Sequence, residues 1–277
     1  MQIPVLTYHS AFISGDGYDC NDHVAFFHDI RLVHNLGLRV LSLDAMVDRL
    51  RAGAKDLNGY VAFTMDDGTN FDYYDLPHPS WGIQRSMINI MRDFIEEFGA
   101  AAQPGLHATS FVIVSADARN ELDRTCLIGR DWYTDEWWVD AIASGLMAIG
   151  NHSWDHNHPT LETVAQRNQQ KGSFLNIDSH ADADAQIRRA SDFLAAKTGG
   201  KASPLFAYPF GEVNDYLAHS YLPDNVSEHK LKAGFTTHQH QLSRPNGIWT
   251  LPRLVCRDDW HTTDELATIL IAMQCND

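Results

Sequence analysis

Apolar residues along this chain recur in two periods. Short runs rich in Val, Ile, Leu and Phe are typical of buried strands, and spacings of three to four positions are typical of amphipathic helices. The helical period is clear over residues 23–36, and Gly37 ends it. Strands are predicted at residues 3–8, 38–43, 60–65, 107–114, 146–150, 204–208, 233–237 and 248–255. Helices are predicted at residues 23–36, 83–98, 137–144, 182–197 and 263–273, with another after Asp44 as its N-cap.

Strands that alternate with helices indicate βα units and a parallel sheet. We see no internal repeat, low-complexity tract or linker, so the prediction is a single domain over residues 1–277. The candidate chemistry follows the carboxyl ends of predicted strands, where (β/α) barrels keep their active sites. A long aromatic and acidic stretch at residues 69–82 is either a functional loop or a packed surface loop.

The strand at residues 60–65 leads directly into Asp66, Asp67 and Gly68. Successive side chains of a strand point to opposite faces, so the two carboxylates are expected to have different roles. Two like charges this close are costly to bury unless a cation or a proton offsets them. One aspartate on a metal and the other handling a proton fits this pattern, and a solvated strand-to-loop turn is the alternative.

A second candidate site follows the strand at residues 146–150. His152 and His156 are four residues apart, a spacing that places two imidazoles on one face of a helical turn. Two histidines and one carboxylate are a common ligand set for a catalytic zinc site. The alternative is a His-rich surface loop in a chain with 15 histidines.

Composition restricts the partners and the compartment. The chain has 21 Lys and Arg against 36 Asp and Glu, a net charge of −15. Nucleic acid and anionic membrane surfaces are therefore unfavourable partners, whereas a neutral or cationic carbohydrate is compatible. The apolar runs are too short for a membrane span, and the N-terminus lacks a basic, cleavable leader, so we expect a cytoplasmic protein, or a secreted one whose leader was trimmed. The four cysteines show no CxxC pairing and are expected to be ordinary thiols.

These motifs resemble those of the polysaccharide deacetylase family (NodB homology, carbohydrate esterase family 4). Residues 64–68 (TMDDG) resemble its first motif, residues 152–156 (HSWDH) its second, and residues 207–211 (AYPFG) its R-x-P-[YF]-G motif without the arginine. The resemblance extends from Pro4 to about Leu254. It implies an α/β fold, a distorted (β/α) barrel with about seven parallel strands. It also implies a metal-dependent hydrolase that removes acetyl groups from N- or O-acetylated carbohydrate.

The resemblance also implies roles for individual residues. Asp67, His152 and His156 would hold a divalent metal, zinc first, with Co²⁺, Ni²⁺ or Mn²⁺ as alternatives, and Asp66 would be the general base. The backbone N–H of Phe210 would hold the oxyanion, a contact worth about 3 kcal/mol of barrier in other enzymes. Further residues are predicted at the substrate: Tyr208, Pro209, Trp81 and Trp154, the two tryptophans as stacking faces.

Two departures from the family pattern stand out. Ala207 occupies the position of the motif arginine, and Arg253 or Arg257 is the candidate to replace it. The C-terminal L-x-H histidine is missing, which leaves the general acid unassigned, with His238, His240 and His261 as candidates. These departures keep two alternatives open: a related C–N hydrolase acting on a small cyclic amide or ureide, and an inactive carbohydrate-binding relative. The sequence leaves the oligomeric state open.

Overall fold

The computed structural model of the protein describes residues 3–54, 57–237 and 247–274. Strands and helices alternate along most of this length. The strands are β1 Val5–Tyr8, β2 Arg39–Val40, β3 Tyr60–Met65, β4 Leu76–His78, β5 Gly82–Gln84, β6 Ala108–Val112, β7 Met147–Asn151, β8 Leu205–Ala207, β9 Ala233–Thr236, β10 Leu251–Pro252 and β11 Leu254–Val255. The helices are α1 Asp22–Asn35, α2 Leu43–Arg51, α3 Met87–Phe98, α4 Ala116–Thr125, α5 Trp138–Ala143, α6 His180–Ala183, α7 Arg189–Thr198, α8 Leu222–Asp224, α9 Val226–His229 and α10 Thr263–Gln274.

The chain divides into two compact units. Unit 1 comprises Met1–Ser110, Ala143–Ala148 and Arg253–Asp277, and unit 2 comprises Phe111–Ile142 and Ile149–Pro252. Strands β6 and β7 begin in unit 1 and end in unit 2. The prediction of one domain over residues 1–277 stays a prediction.

In unit 1 the strand order is β11-β1-β3-β6, with β2 paired to the start of β3. The pairings of β1 with β11, of β1 with β3 and of β3 with β6 are parallel. All four side chains of β1 are buried, as are the last five residues of β3. The carboxyl ends of β1, β3 and β11 therefore lie side by side, and the polar residues that follow these strands are brought together.

In unit 2 the strand order is β7-β8-β9-β10, again with parallel pairings. One core cluster packs Phe206 and Tyr208 against Phe174, Leu217 and Trp249. The carboxyl ends of β7 and β8 are neighbours because Asn151 pairs with Phe206 in the parallel register. The residues that follow β7 and β8 are thus brought to the same edge of the sheet.

The predicted α/β class with parallel strands is confirmed. Strands β10 and β11 are separated only by Arg253 and stand at the two ends of the strand order. Counted as one interrupted strand, they bring the parallel strands to the seven expected, with β2 as a short addition. The predicted strand at residues 248–255 is therefore present with a break at Arg253.

Several predicted boundaries were wrong for identifiable reasons. Ser42, whose side chain accepts from the Ala45 N–H, is the N-cap of α2, and Asp44 lies inside the first turn. The helix expected from residue 83 begins at Met87, because β5 pairs with β4 as an antiparallel hairpin and Ser86 caps the helix. That hairpin fills part of the long stretch at residues 69–82. Helix α4 was not predicted.

None of the described helices is both long and apolar enough to cross a lipid bilayer.

Candidate active site

The two aspartates follow β3 in a backbone turn that separates their side chains. The Asp66 N–H donates to the Tyr8 carbonyl at 2.9 Å and so continues the pairing of β3 with β1. Asp67 then has a left-handed conformation, with φ of 72°, and Gly68 follows with φ of 75°. Asp66 is buried whereas Asp67 is half-buried. The two carboxylates therefore have different environments, as the strand pattern predicted.

Arg253 forms a bidentate ion pair with Asp66. Its Nη1 donates to Asp66 Oδ1 at 2.6 Å and its Nη2 donates to Asp66 Oδ2 at 2.7 Å. Both side chains are almost completely inaccessible to solvent, with exposures of 1% for Arg253 and 6% for Asp66. An opposite charge this close favours the ionised carboxylate and fixes its orientation. Arg253 is thus in the position to replace the motif arginine, whereas Arg257 pairs with Asp22 instead.

A third carboxylate, Asp72, lies in unit 1 close to this pair. Burial raises the pKa of Asp72 to about 7, and the charges of Asp67 and Asp66 raise it further, while hydrogen bonds from Ser10 and Ser110 oppose the shift. The Ser110 hydroxyl donates to Asp72 Oδ2 at 2.6 Å, whereas Oδ1 has no hydrogen-bond partner among the described residues. The raised pKa of Asp72 favours its protonated form, which adds no negative charge near Asp66.

The two histidines lie on a loop after β7, so the predicted helical turn was wrong. Ser153, His156 and Asn157 have left-handed backbones, with φ of 69°, 63° and 47°. The His156 N–H donates to the Ser153 hydroxyl at 2.9 Å, which closes the turn. The rings of His152 and His156 are nevertheless neighbours, with centroids 4.8 Å apart. A tight loop thus achieves the proximity that the i, i+4 spacing suggested.

A backbone carbonyl fixes the ring of His152. Its Nδ1 lies 2.9 Å from the carbonyl oxygen of Ala207, at the end of β8. Because a carbonyl can only accept, Nδ1 carries the hydrogen, and the Nε2 lone pair of the neutral ring is available as a metal ligand. Metal-ligating histidines typically donate their other ring nitrogen in this way. Both histidines are buried, with exposures of 1% for His152 and 6% for His156.

Asp155, between the histidines, determines the shape of the loop. It accepts from the Asn157 N–H at 2.9 Å, the Ala165 N–H at 2.6 Å and Gln186 Nε2 at 2.6 Å. Burial raises the pKa of Asp155, and these donors act in the opposite direction. Sequence reasoning gave this residue no role.

Phe210 follows β8 in the short turn Pro209–Gly211. Its backbone is left-handed, with φ of 59°, and its ring meets the His156 ring edge-on at a centroid distance of 4.4 Å. Gly211 also has positive φ, 66°, and a Cβ there would lie 1.7 Å from Thr237 Oγ1. The turn therefore requires glycine at this position, and it holds Phe210 beside the histidine pair.

The other predicted substrate residues have mixed positions. Tyr208 is fully buried and its hydroxyl donates to the Trp249 carbonyl at 2.9 Å, so its side chain belongs to the core and offers no surface to a sugar. Pro209 is also buried. Trp154 is half-buried, with the Arg189 guanidinium 3.5 Å from its ring centroid. Trp81, at the tip of the β4–β5 hairpin, is 41% exposed.

The candidates for the missing general acid remain unassigned. His238 and His240 lie outside the described residues. His261 is exposed, and its Nδ1 lies 3.7 Å from Glu265 on its own segment.

Sequence reasoning also missed Asp72 and the Ala207 carbonyl. Burial of a carboxylate leaves no periodic signal, and a carbonyl contributed by the backbone is independent of residue type. Only the pairing of strands reveals either of them.

Comparison with known proteins agrees with the resemblance. The sequence model of the polysaccharide deacetylase family matches residues 98–223. This range contains both histidines and Phe210, and it begins after the Asp66-Asp67 pair. A search of curated protein sequences gives no significant match.

Solved structures share the fold over nearly the whole chain. IcaB from Ammonifex degensii is 20% identical with a TM-score of 0.64, and the match covers 99% of this chain and 97% of that one. The deacetylase PplD from Streptococcus pyogenes, in complex with acetate, is 18% identical with a TM-score of 0.62, covering 98% of each chain. The BpsB deacetylase domain from Bordetella bronchiseptica is 16% identical with a TM-score of 0.53, covering 92% of this chain and 95% of that one.

At these identities the structural likeness shows the fold. Together with the family match, it confirms the predicted resemblance to the polysaccharide deacetylase family. The family match supports the broader prediction of a hydrolase that deacetylates carbohydrate.

Proposed function

We propose that this protein is a metal-dependent hydrolase that removes acetyl groups from N- or O-acetylated carbohydrate. In this proposal Asp67, His152 and His156 bind the cation, with zinc as the preferred ion, and Asp66 is the general base. The three ligands offer one carboxylate oxygen and two imidazole nitrogens, a donor set that suits a catalytic zinc site with an open position.

The observation that carries the proposal is the fixed tautomer of His152 and the position of the His156 ring beside it. His152 donates Nδ1–H to the Ala207 carbonyl at 2.9 Å, and the His156 ring lies beside it at a centroid distance of 4.8 Å. This hydrogen bond gives the tautomer that a ligand through Nε2 needs. A surface loop of histidines would not require buried rings with one fixed tautomer.

When bound, the cation polarises the acetyl carbonyl and lowers the pKa of the attacking water. Asp66 would accept the proton of that water as it attacks. Arg253 donates to both oxygens of Asp66, so the carboxylate keeps one orientation. A base that is fixed before substrate arrives does not have to reorganise during the reaction.

The backbone N–H of Phe210 is proposed to donate to the developing oxyanion. Phe210 lies in the short turn Pro209–Gly211, and its ring packs against the ring of His156 at a centroid distance of 4.4 Å. Preorganised donors of this kind stabilise charge that appears only in the transition state. No serine or cysteine nucleophile is required, since water attacks the acetyl carbon directly.

The test is acetate release from acetylated chitooligosaccharides, peptidoglycan fragments, acetylxylan and a small acetyl ester. It is run with added zinc or cobalt and again after chelation. We expect metal-dependent acetate release from the wild type. Asp66→Asn should abolish acetate release but still retain about one metal per chain. His152→Gln should abolish both acetate release and metal retention. Asp192→Asn, a carboxylate-to-amide change on the exposed face of α7, is the matched control and should retain activity.

Three results would count against the proposal. Release that persists after chelation would exclude the metal. A chain that binds metal but releases acetate from no substrate would favour the related C–N hydrolase, which cyclic amides and ureides then test. A chain that neither binds metal nor releases acetate would favour the inactive carbohydrate-binding relative.

A further inference from the structure

A cleft in unit 1 opens directly onto Asp67. Its volume is about 370 Å³, and its lining comes from the loop after β1, the segment after β11, and Asp67 itself. The residues that matter for recognition are His9, Phe12, Arg257 and Asp258. A concave site with a few convergent polar groups next to proposed catalytic residues is a candidate for ligand binding.

One wall of the cleft is held in place by an ion pair that also balances its positive charge. Arg257 Nε donates to Asp22 Oδ1 at 2.8 Å, and its guanidinium carbon lies 3.2 Å from the Phe12 ring centroid. Asp22 is fully buried and also accepts from the His9 N–H at 2.6 Å. The backbone of Arg257 is left-handed, with φ of 72°. The Arg257 guanidinium is thus held over the Phe12 ring, and Asp22 offsets its charge.

The other polar side chains of the cleft are available to a ligand. Asp258 is exposed, and among the described residues its hydrogen bond is from the backbone N–H and not from the carboxylate. Among the described residues, the hydrogen bonds of His9 involve its backbone and not its ring. Asp67 and Asp258 are the two carboxylates that line the cleft. With the proposed cation at Asp67, Asp258 would be the carboxylate left to pair with a ligand. The cleft is therefore suited to a ligand with one positive charge.

We propose that this cleft is a subsite for a protonated amino sugar unit, next to the unit that loses its acetyl group. The inference rests on the proposed function, because removal of an N-acetyl group leaves a primary amine. The sugar ring would lie against the wall that the stacked Arg257 and Phe12 side chains form, and the ammonium group would pair with Asp258. The enzyme would then prefer chains that already carry free amines, which produces runs of deacetylated units.

The kinetic test compares two tetrasaccharides of N-acetylglucosamine, one fully acetylated and one with a single free amine. We expect kcat/KM to be about three- to fivefold higher for the amine-bearing substrate, because an exposed ion pair contributes up to about this factor. Asp258→Asn should remove that ratio, and 0.5 M salt should reduce it in the wild type. Asp192→Asn, remote in sequence and on α7, should leave the ratio unchanged.

A binding measurement separates failure of this inference from failure of the proposed function. The fully deacetylated tetramer is titrated into Asp66→Asn protein and into the Asp66→Asn, Asp258→Asn double variant. Tighter binding of the amine tetramer than of the acetylated one, lost with Asp258→Asn, supports the subsite even if no acetate is released. Equal binding of both tetramers, or a preference that persists in the double variant, overturns the subsite even if acetate is released.

Discussion

Replacing Arg253 with methionine should destabilise the fold strongly, because it leaves the Asp66 carboxylate buried without a counter-charge. The pair is joined by two hydrogen bonds of 2.6 and 2.7 Å, and neither side chain is more than 6% exposed. Removing one partner of a buried ion pair costs about 3–5 kcal/mol of stability, whereas replacing both partners by neutral groups costs much less. We expect Arg253→Met to lower the free energy of unfolding by about 3–5 kcal/mol.

The assay is urea unfolding of wild type, Asp66→Asn, Arg253→Met and the double variant, all with chelator so that metal occupancy is the same. The double variant should be more stable than the sum of the single changes predicts, with a coupling of about 2–3 kcal/mol. Arg85→Met is the matched control in unit 1, since Arg85 pairs with Asp75 and Asp93 at the surface with 47% of its side chain exposed. That change should cost less than about 1 kcal/mol.

The reasoning would be refuted if Arg253→Met and Arg85→Met were equally mild, or if the four variants showed no coupling. Arg253→Lys adds a functional readout. Lysine keeps the charge but cannot hold both carboxylate oxygens, so acetate release should fall while metal retention does not.

Three further predictions concern the metal, a turn and the pH dependence. Zinc at 100 times its dissociation constant should raise the free energy of unfolding by about 2.7 kcal/mol, which a thermal scan detects as a higher melting temperature. The melting temperature of His152→Gln should not rise with zinc. An equal rise in that variant would place the metal elsewhere. Gly211→Ala should destabilise by more than about 2 kcal/mol, since the site has φ of 66° and the new Cβ would lie 1.7 Å from Thr237 Oγ1; a change within 0.5 kcal/mol in urea would contradict the requirement for glycine. Burial raises the pKa of Asp29 to about 7 from 3.8, against hydrogen bonds from Tyr18, Tyr8 and Trp260. The folded chain therefore binds this proton more tightly than the unfolded chain. Its contribution to the free energy of unfolding is complete below about pH 4 and is lost as the pH rises through about 7. The total change is on the order of 4 kcal/mol. Urea titrations of wild type and Asp29→Asn should show the loss in the wild type and a flatter profile in the variant, and parallel profiles would contradict the assignment.

The sequence by itself determined the α/β class, the order of most strands and helices, and which residues are the candidate donors of the site. Apolar periodicity is a local signal, so β3 and the strand before His152 could be located within a residue or two. The position of Asp66 and Asp67 after a buried strand also established that their side chains have different environments.

Only the tertiary structure decided how these donors are held. Arg253 contacts Asp66 across 187 positions of sequence because β1 pairs with both β3 and β11. The Ala207 carbonyl fixes His152 because β8 is the neighbour of β7. The histidines are close through left-handed residues of a loop, a conformation that residue spacing does not encode. Such contacts depend on strand pairing over long separations, and local sequence patterns carry no information about it.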